Sequence, residues 1–380
     1  MERPTDNMEA YLEIEPDFEM AVESETVASP KHPDRNEDKV LGQPDRTPPK
    51  LETDMFMVGQ DQDKVREWSE REQAAAETLA KLNIYGLFDG VSGEGAGAGA
   101  IASRISSGAI AERLAEMPPE ATAEETAEAF RKAVEAAHRE VQAHKKGRDD
   151  LKGGGATVDL VRLIRTEDSG YDLAYAHAGD SRIYVLDSET GMLEQLTEDE
   201  GPAFELLKQG YITKDQYRTV LDAENEEDIP GDQNFKLEGR TISLRTVFDA
   251  NRQGLGNAIG KGDSVTVTTG VRRLKAGDRV YVMSDGVSDN VDDNRLAEMA
   301  DRNASAEEIR QAAYDANVKP DDISLVKIEV GGREGGENEE YELNMEDVEF
   351  VASPEERTAR TRQDSSETEA ALESVRKTLK

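Results

Sequence analysis

Short apolar segments that end in a carboxylate constrain this chain more than any other feature of its sequence. "IYGLF" is followed directly by Asp89 and Gly90, and "RVYVMS" is followed by Asp285 and Gly286. The length of these runs and their β-branched and aromatic residues are typical of strands. An Asp-Gly pair after a strand is most often a tight turn or a helix start, so a single occurrence indicates little.

The remaining periodic segments predict a layered α+β domain. Further strands are predicted in "FEMAV" from Phe18, "ATVDLVRLI", "LAYAHA", "RIYVL", "SVTVTT" and "DISLVKIEV". Helices are predicted in residues 62–82 (a surface helix), 95–115, 291–301 and 305–316. A capping-box pattern at Thr122 and Glu125 starts one more helix, whose apolar residues fall on one face. Strands in runs and helices in pairs favour α+β over strict alternation.

Composition divides the chain into a folded domain and two tails. Residues 1–17 are acidic and poor in pattern, and "GGREGGENEE" after Val330 marks an abrupt change to glycine and acid. We therefore expect a domain at 18–330 and a largely disordered tail at 331–380. Residues 199–262 form a turn-rich, helical insertion within the domain.

Charge and cysteine content exclude several classes of protein. The chain has no cysteine, which excludes disulfides and thiolate zinc sites and suits a reducing cytosol. Its net charge of -36, from 82 acidic and 46 basic residues, disfavours nucleic-acid and membrane binding. No apolar run approaches the roughly 18 residues of a membrane span, and the N-terminus lacks a signal-peptide pattern. We expect a cytoplasmic protein, and a monomer.

Carboxylates stand at several more predicted strand ends. They are Glu37 and Asp38 in "RNEDKV", Asp180 in "HAGDSR", Asp289 in "SDGVSD", and Asp321 and Asp322 before the last strand. Each alone is more often a turn residue than a ligand. Together they are difficult to explain as turns, because clustered carboxylates repel one another unless a cation lies among them. Sites made only of oxygen ligands select hard ions such as Mg²⁺ or Mn²⁺.

The order of these motifs resembles that of the PPM family of metal-dependent protein phosphatases, also called the phosphatase 2C type. "RNED", "FDG", "GDSR", "SDGVSD" and "DDIS" follow one another as they do in that family. The resemblance covers about residues 18–330 and includes "LTEDEG" and "GLGNAIG", which resemble the segments on either side of the family's flap. It implies two packed antiparallel sheets flanked by antiparallel helix pairs.

The resemblance also implies roles for individual residues. Asp89 would bridge two metal ions, and Asp285 and Asp321 would complete one of the two sites. Glu37 and the carbonyl oxygen of Gly90 would serve the other site. Two further positions, Asp180 and Asp289, match those that hold a weaker third metal in bacterial members, and Asp38 would lie next to the ligands.

The implied activity is hydrolysis of phosphoserine and phosphothreonine in proteins, with Mg²⁺ or Mn²⁺ as cofactor. Two metal ions that share a water lower its pKa and direct it at the phosphorus. The alternative from another class is an inactive phosphatase-fold module with a regulatory or binding role. Such modules typically lack ligand carboxylates, and none is missing here.

Three positions depart from the family pattern. Val91 and Ser92 follow Gly90, so the histidine found there in some members is absent, and Asp322 replaces the usual Asn. Pro33 occupies the place of a phosphate-binding arginine. Arg35, together with Lys31 and His32, is the nearest candidate for that role, although each is equally well explained as a solvated side chain. Structural roles are favoured for the other three histidines, which are His138, His144 and His177.

Overall fold

The computed structural model describes residues 20–331, apart from 32, 34, 35, 43–61, 93–96, 169, 222, 224, 238 and 254. The strands are β1 (Ala21–Val27), β2 (Lys39–Leu41), β3 (Ile84–Phe88), β4 (Gly90–Val91), β5 (Gly155–Ala156), β6 (Val158–Arg165), β7 (Tyr171–Ala178), β8 (Arg182–Leu186), β9 (Leu193–Gln195), β10 (Asn234–Leu237), β11 (Arg240–Ser243), β12 (Thr268–Leu274), β13 (Arg279–Met283) and β14 (Ile323–Glu329). The helices are α1 (Gln62–Lys81), α2 (Ala98–Leu114), α3 (Ala123–Lys145), α4 (Pro202–Lys208), α5 (Lys214–Leu221), α6 (Leu244–Gln253), α7 (Asp285–Ser288), α8 (Asp293–Asp301) and α9 (Ala306–Ala316).

Two five-stranded antiparallel sheets pack face to face. One has the strand order β1-β14-β13-β8-β9, and the other has the order β12-β7-β6-β3-β2. Leu87 and Val161 from the second sheet join Val185, Val282 and Ile328 from the first in one buried cluster. This cluster lies between the sheets and fixes how they stack, because alternate side chains of each strand point into it.

Helices cover the outer face of each sheet. α1, α2 and α3 pack with β3, β6 and β7 around a second buried cluster, and α8 and α9 cover β13 and β14 in a third. The four layers are therefore helix, sheet, sheet and helix, which confirms the predicted α+β sandwich. Three helices, rather than a pair, lie on the first of these faces. α1 contributes Trp68 and Leu79 to the core, so it is more than the surface helix predicted from its charge.

Residues between β9 and β12 form a unit with its own apolar cluster. α4, α5, α6 and the β10–β11 hairpin enclose Leu206, Ile229, Phe235 and Val247. The hairpin is an addition to the helices and turns that the sequence indicated. Because the cluster is separate from the two main cores, this insertion is stabilised mainly by its own contacts.

Two sequence predictions, one of a helix start and one of a strand, have different outcomes. The capping box at Thr122 and Glu125 is present, and α3 begins directly after it. In contrast, the strand predicted in "SVTVTT" is displaced, since β12 begins only at Thr268. The Asn257 side chain bonds both the N–H and the carbonyl oxygen of Thr266, so this backbone is not available to the sheet. None of the helices in the described ranges has the length and apolar character needed for a bilayer span.

Candidate metal centre

The predicted carboxylates lie at the ends of strands from both sheets. Asp89 follows β3, Asp180 lies between β7 and β8, and Asp285 begins α7, separated from β13 by one residue. Asp321 precedes β14, and Asp38 immediately precedes β2. The charges of Asp38, Asp285, Asp321 and Asp180 all act on Asp89. Residues far apart in the sequence are therefore brought into one acidic cluster.

Asp89 lies at the centre of this cluster. Its backbone is fixed by Thr157, whose hydroxyl accepts from Asp89 N at 3.0 Å and whose N–H donates to Asp89 O at 2.9 Å. Burial, followed by the charges of Asp38 and Asp285, raises the pKa of Asp89 well above its usual range. Its carboxyl is also within hydrogen-bonding reach of Asp285. Carboxylates so close together are costly unless a proton or a cation separates them.

Asp38 is buried without a hydrogen-bonding partner. Neither oxygen of its carboxylate has a partner at hydrogen-bond geometry, although the Ser324 hydroxyl is close enough to lower the pKa somewhat. Burial and the charge of Asp322 outweigh this and raise the pKa well above its usual range. An unpaired carboxylate of this kind destabilises the fold in the absence of a cation. Asp38 thus belongs to the acidic cluster itself.

The backbone around Glu37 is packed too closely for any side chain at Gly90. A Cβ added at Gly90 would lie 2.4 Å from Glu37 O and 2.8 Å from Gly99 C. Both carboxylate oxygens of Glu37 accept from Ser92 Oγ, at 2.8 and 2.6 Å. Ser92 therefore orients the Glu37 carboxylate, which gives a structural reason for a serine where a histidine is absent.

Asp322 has a positioning role that requires a carboxylate. One of its oxygens accepts from Ser29 N at 2.6 Å, and the other accepts from Glu37 N at 2.7 Å. An asparagine has only one side-chain oxygen, so it could not accept both bonds in this way. Asp322, which replaces the family's usual asparagine, therefore ties the segment before β2 to the start of β14.

Lys319 was not singled out in the sequence, yet it contacts two of the predicted ligands. Its Nζ lies 2.6 Å from Asp285 Oδ2 and 2.6 Å from Asp289 Oδ2. Burial would raise the pKa of Asp285, but the Lys319 charge outweighs it and lowers this pKa. The other Asp285 oxygen, Oδ1, is buried without a partner. Nothing in "NVKPDD" signals this contact, because it depends on how the turn before β14 folds back onto α7.

Two other acidic residues are kept protonated at higher pH than usual. Burial, with the charge of Asp285, raises the pKa of Asp180 to about 8 and that of Asp321 to about 6. Asp180 is presented by Gly179, whose φ of +133° is a conformation that favours glycine. Burial and the charge of Asp285 likewise raise the pKa of Asp289. In each case, burial and the negative charge of a neighbouring carboxylate disfavour the ionised form.

The donor set fits hard divalent cations. It consists only of carboxylate oxygens and a glycine carbonyl, and some of its oxygens are buried without a hydrogen bond. Across the described residues, no group of three or more acidic, histidine or cysteine side chains could hold a metal ion as it stands. The Lys319 ion pairs and the Asp89–Asp285 contact involve carboxylates of this donor set, so a bound cation would replace these contacts.

The phosphate-binding candidates and the histidines are considered separately from this cluster. Arg35 and His32 lie outside the described residues, and Lys31 and Pro33 are exposed. His177 is fully buried, with Nδ1 2.9 Å from Asp159 Oδ1 and Nε2 3.0 Å from Glu198 O. The remaining two histidines also have structural contacts, His138 with Gly260 N and His144 with the ring of Trp68.

Comparison with known proteins gives one family. The profile described as protein phosphatase 2C matches residues 74–314. A putative protein phosphatase 2C-type from Streptococcus pyogenes is 26% identical over 183 residues, which is 47% of this chain and 60% of that protein. The serine/threonine protein phosphatase PstP of Mycobacterium tuberculosis is 27% identical over 166 residues, 44% of this chain and 25% of that protein. The chain thus spans less than two thirds of either relative.

A solved structure supports the same fold. The crystal structure of a bacterial serine phosphatase aligns with a TM-score of 0.55 over 83% of this chain and 100% of that chain. The identity in this alignment is 18%, so the likeness concerns the arrangement of the two sheets and their helices.

Proposed function

Because this chain belongs to the protein phosphatase 2C family, we propose that it is a Mg²⁺- or Mn²⁺-dependent phosphatase of phosphoserine and phosphothreonine in proteins. The observation that carries the proposal is the acidic cluster at the strand ends. Carboxylates from at least four separate places in the chain meet there, and their charges contribute to the raised pKa values of Asp89, Asp180 and Asp321. A fold tolerates such repulsion most readily where a cation relieves it.

The proposed ligands are those that the resemblance to the family implies. Asp89, Asp285 and Asp321 would hold one ion, and Asp89 with Glu37 and the Gly90 carbonyl would hold a second. Asp180 and Asp289 would serve a weaker third. Two bound ions supply a nucleophile from water near neutral pH and neutralise the phosphoryl oxygens.

The chain's own residues orient this donor set. Thr157 fixes the backbone of Asp89, Ser92 fixes the Glu37 carboxylate, and Asp322 fixes the Glu37 backbone. Catalytic groups that are held in place by their neighbours lose less entropy when the substrate binds. We propose Arg35 as the phosphate-binding guanidinium, because it precedes Glu37 by two residues and a guanidinium can bind phosphate through two hydrogen bonds. Arg35→Ala should then raise KM for a small phosphate ester more than it lowers kcat.

Phosphate release from a phosphothreonine peptide tests the proposed activity. We expect release with Mn²⁺ and none with EDTA. Asp89→Asn or Asp285→Asn should lower the rate by about a hundredfold or more, because each removes a metal ligand. Asp215→Asn, at an exposed position on α5, is the matched control and should leave the rate unchanged. Absence of release with every divalent ion would favour the inactive regulatory module, and full activity of Asp285→Asn would contradict the ligand assignment.

Two expectations from the sequence, the oligomeric state and the location, stay proposals. We propose that the protein acts as a monomer in the cytoplasm, which rests on its cysteine-free, strongly acidic composition. Light scattering after size-exclusion chromatography tests the oligomeric state, and a dimer at micromolar concentration would contradict it.

A further inference from the structure

A basic pocket lies beside the acidic cluster of this acidic protein. Its volume is about 800 Å³. Its lining includes one acidic residue, Asp149, and five basic residues, which are Lys145, Lys146, Arg148, Lys152 and Lys261. The whole chain has the reverse balance, with 82 acidic and 46 basic residues. A local reversal of charge of this size indicates a site for an anion.

The walls of the pocket are joined by hydrogen bonds from side chains to backbone carbonyls. The end of α3 and residues 146–153 form one side, and residues 255–262 form the other. Lys145 Nζ donates to Gly154 O and, at 2.7 Å, to Gly260 O, so it joins the two sides. Gln142 also donates to Gly262 O. The pocket is therefore a built feature of the fold.

The charges that line the pocket are only partly neutralised. Arg148 is paired with Asp150, but no carboxylate among the described residues lies within salt-bridge distance of Lys146 or Lys261. The negative end of the α3 dipole accounts for cations at 145 and 146. It does not account for Lys261, which comes from the opposite wall. Burial and the Lys261 charge lower the pKa of Lys145, so the two cations repel each other and an anion between them would relieve this repulsion.

A two-stranded ribbon connects the pocket to the acidic cluster. Ala156 of β5 pairs with Gly90 of β4, and it also pairs with Ile259. The Lys261 side chain packs against Gly155, where an added Cβ would lie 3.1 Å from Lys261 Cγ. The charge of Asp180 acts on Lys261 as well. An anionic side chain in the pocket would thus be only a few residues of the substrate chain away from a phosphoryl group held at the metal centre.

We propose that this pocket binds acidic side chains, carboxylate or phosphate, that flank the phosphorylated residue of a protein substrate. This inference rests on the proposed phosphatase activity, since it assigns a substrate class to the same centre. A single carboxylate or phosphate would contact cations from both walls. The protein would then prefer phosphoproteins whose phosphorylated residue lies in an acidic or multiply phosphorylated segment.

The test compares a pocket variant with a matched surface variant. Lys146→Gln combined with Lys152→Gln removes two exposed lining charges and changes no proposed metal ligand. The control combines Lys81→Gln with Lys132→Gln, two lysines on α1 and α3 whose side chains are each 67% exposed. Both variants lose the same charge, so a general electrostatic effect would appear in both. Equal melting temperatures establish that both remain folded.

The substrates are phosphothreonine peptides with flanking Asp, Asn or phosphoserine residues on either side, and p-nitrophenyl phosphate. We expect the pocket variant to lose about tenfold in kcat/KM on the Asp-flanked and phosphoserine-flanked peptides, the size of one or two charge-assisted hydrogen bonds. Rates on p-nitrophenyl phosphate and the Asn-flanked peptide should be unchanged. Loss with only one of the acidic peptides identifies the preferred anion. Equal losses on all substrates, or no loss on any, would overturn the proposal.

Binding without turnover separates this inference from the proposed activity. In EDTA, fluorescence anisotropy of a labelled, unphosphorylated Asp-rich peptide should show weaker binding to the pocket variant than to the control variant. If no substrate is hydrolysed while this difference persists, the activity is wrong and the pocket assignment stands. If hydrolysis is normal and neither variant changes acidic-peptide binding, the pocket assignment is wrong.

Discussion

Gly286→Ala should damage both the stability and the proposed metal centre, because α7 and the start of β14 are in direct contact at this residue. A Cβ added at Gly286 would lie 1.9 Å from Asp322 O, 2.8 Å from Asp322 C and 3.2 Å from Ile323 Cα. All three atoms belong to the backbone, so no side chain can rotate away. The surrounding hydrogen bonds also oppose separation, since Asn290 Nδ2 donates to both Gly286 O and Lys319 O at 2.8 Å.

The size of the effect follows from two opposing terms. Overpacking a closely packed site costs about 1–3 kcal/mol, and a backbone obstacle places this case near the upper end. Alanine is about 1 kcal/mol better than glycine in a helix, which offsets part of the cost. The net loss of about 2 kcal/mol corresponds to a fall of roughly 4–8 °C in Tm. Because Asp285 and Asp321 flank this contact, their separation must change and activity should fall with stability.

Calorimetric melting in EDTA measures the stability effect without any contribution from metal binding. Gly231→Ala is the matched control, because the nearest atom to its added Cβ is Arg245 Nη2 at 3.8 Å. We expect the control to stay within about 0.5 kcal/mol of the parent. A Gly286→Ala protein with the parent's Tm and phosphatase rate would show that the two elements need not approach so closely.

Three further predictions concern charge. Asp38→Asn should raise stability in EDTA by about 1 kcal/mol, because an unpaired buried carboxylate is removed, and should reduce the rise in Tm that Mn²⁺ produces; a lower Tm in EDTA would contradict this. Lys319→Met should tighten divalent-ion binding about tenfold in calorimetry, because a competing ammonium is lost; unchanged affinity would show that Lys319 does not compete. Burial lowers the pKa of His177, but Asp159 outweighs it and raises the pKa to about 10. The stabilisation by the His177–Asp159 ion pair is therefore full below about pH 6.5 and is lost as the pH rises toward 10; Asp159→Asn should abolish this alkaline fall in Tm.

The features that could be predicted from the sequence are those that depend on residues close to one another in the chain. Strands, capping boxes and strand-end carboxylates are visible because their signals lie within a few residues, as at Thr122 and Glu125. Lys319 was missed because its contact with Asp285 joins residues 34 positions apart through a turn that has no distinctive pattern. The basic pocket was missed for a similar reason, since Lys145 meets Gly260 across 115 positions. The displacement of β12 depends on the Asn257 side chain, whose bonds to a later backbone segment have no periodic signature.

In a chain with 82 acidic residues, acidity alone cannot locate a functional site. Glu128 illustrates a surface carboxylate with cationic partners: hydrogen bonds from Arg131 and Lys132 lower its pKa to about 2. Such exposed pairs contribute little to stability and need no ligand. Two acids of the cluster at the strand ends have pKa shifts in the opposite direction, since burial and neighbouring acids raise the pKa of Asp89 and of Asp180. A raised pKa means that the folded chain opposes the negative charge, and only a proton or a cation can relieve this opposition. The raised pKa values of Asp89 and Asp180 therefore distinguish these buried acids from a solvated acid such as Glu128, whereas Asp285, whose pKa Lys319 lowers, is recognised by its contacts with this cluster.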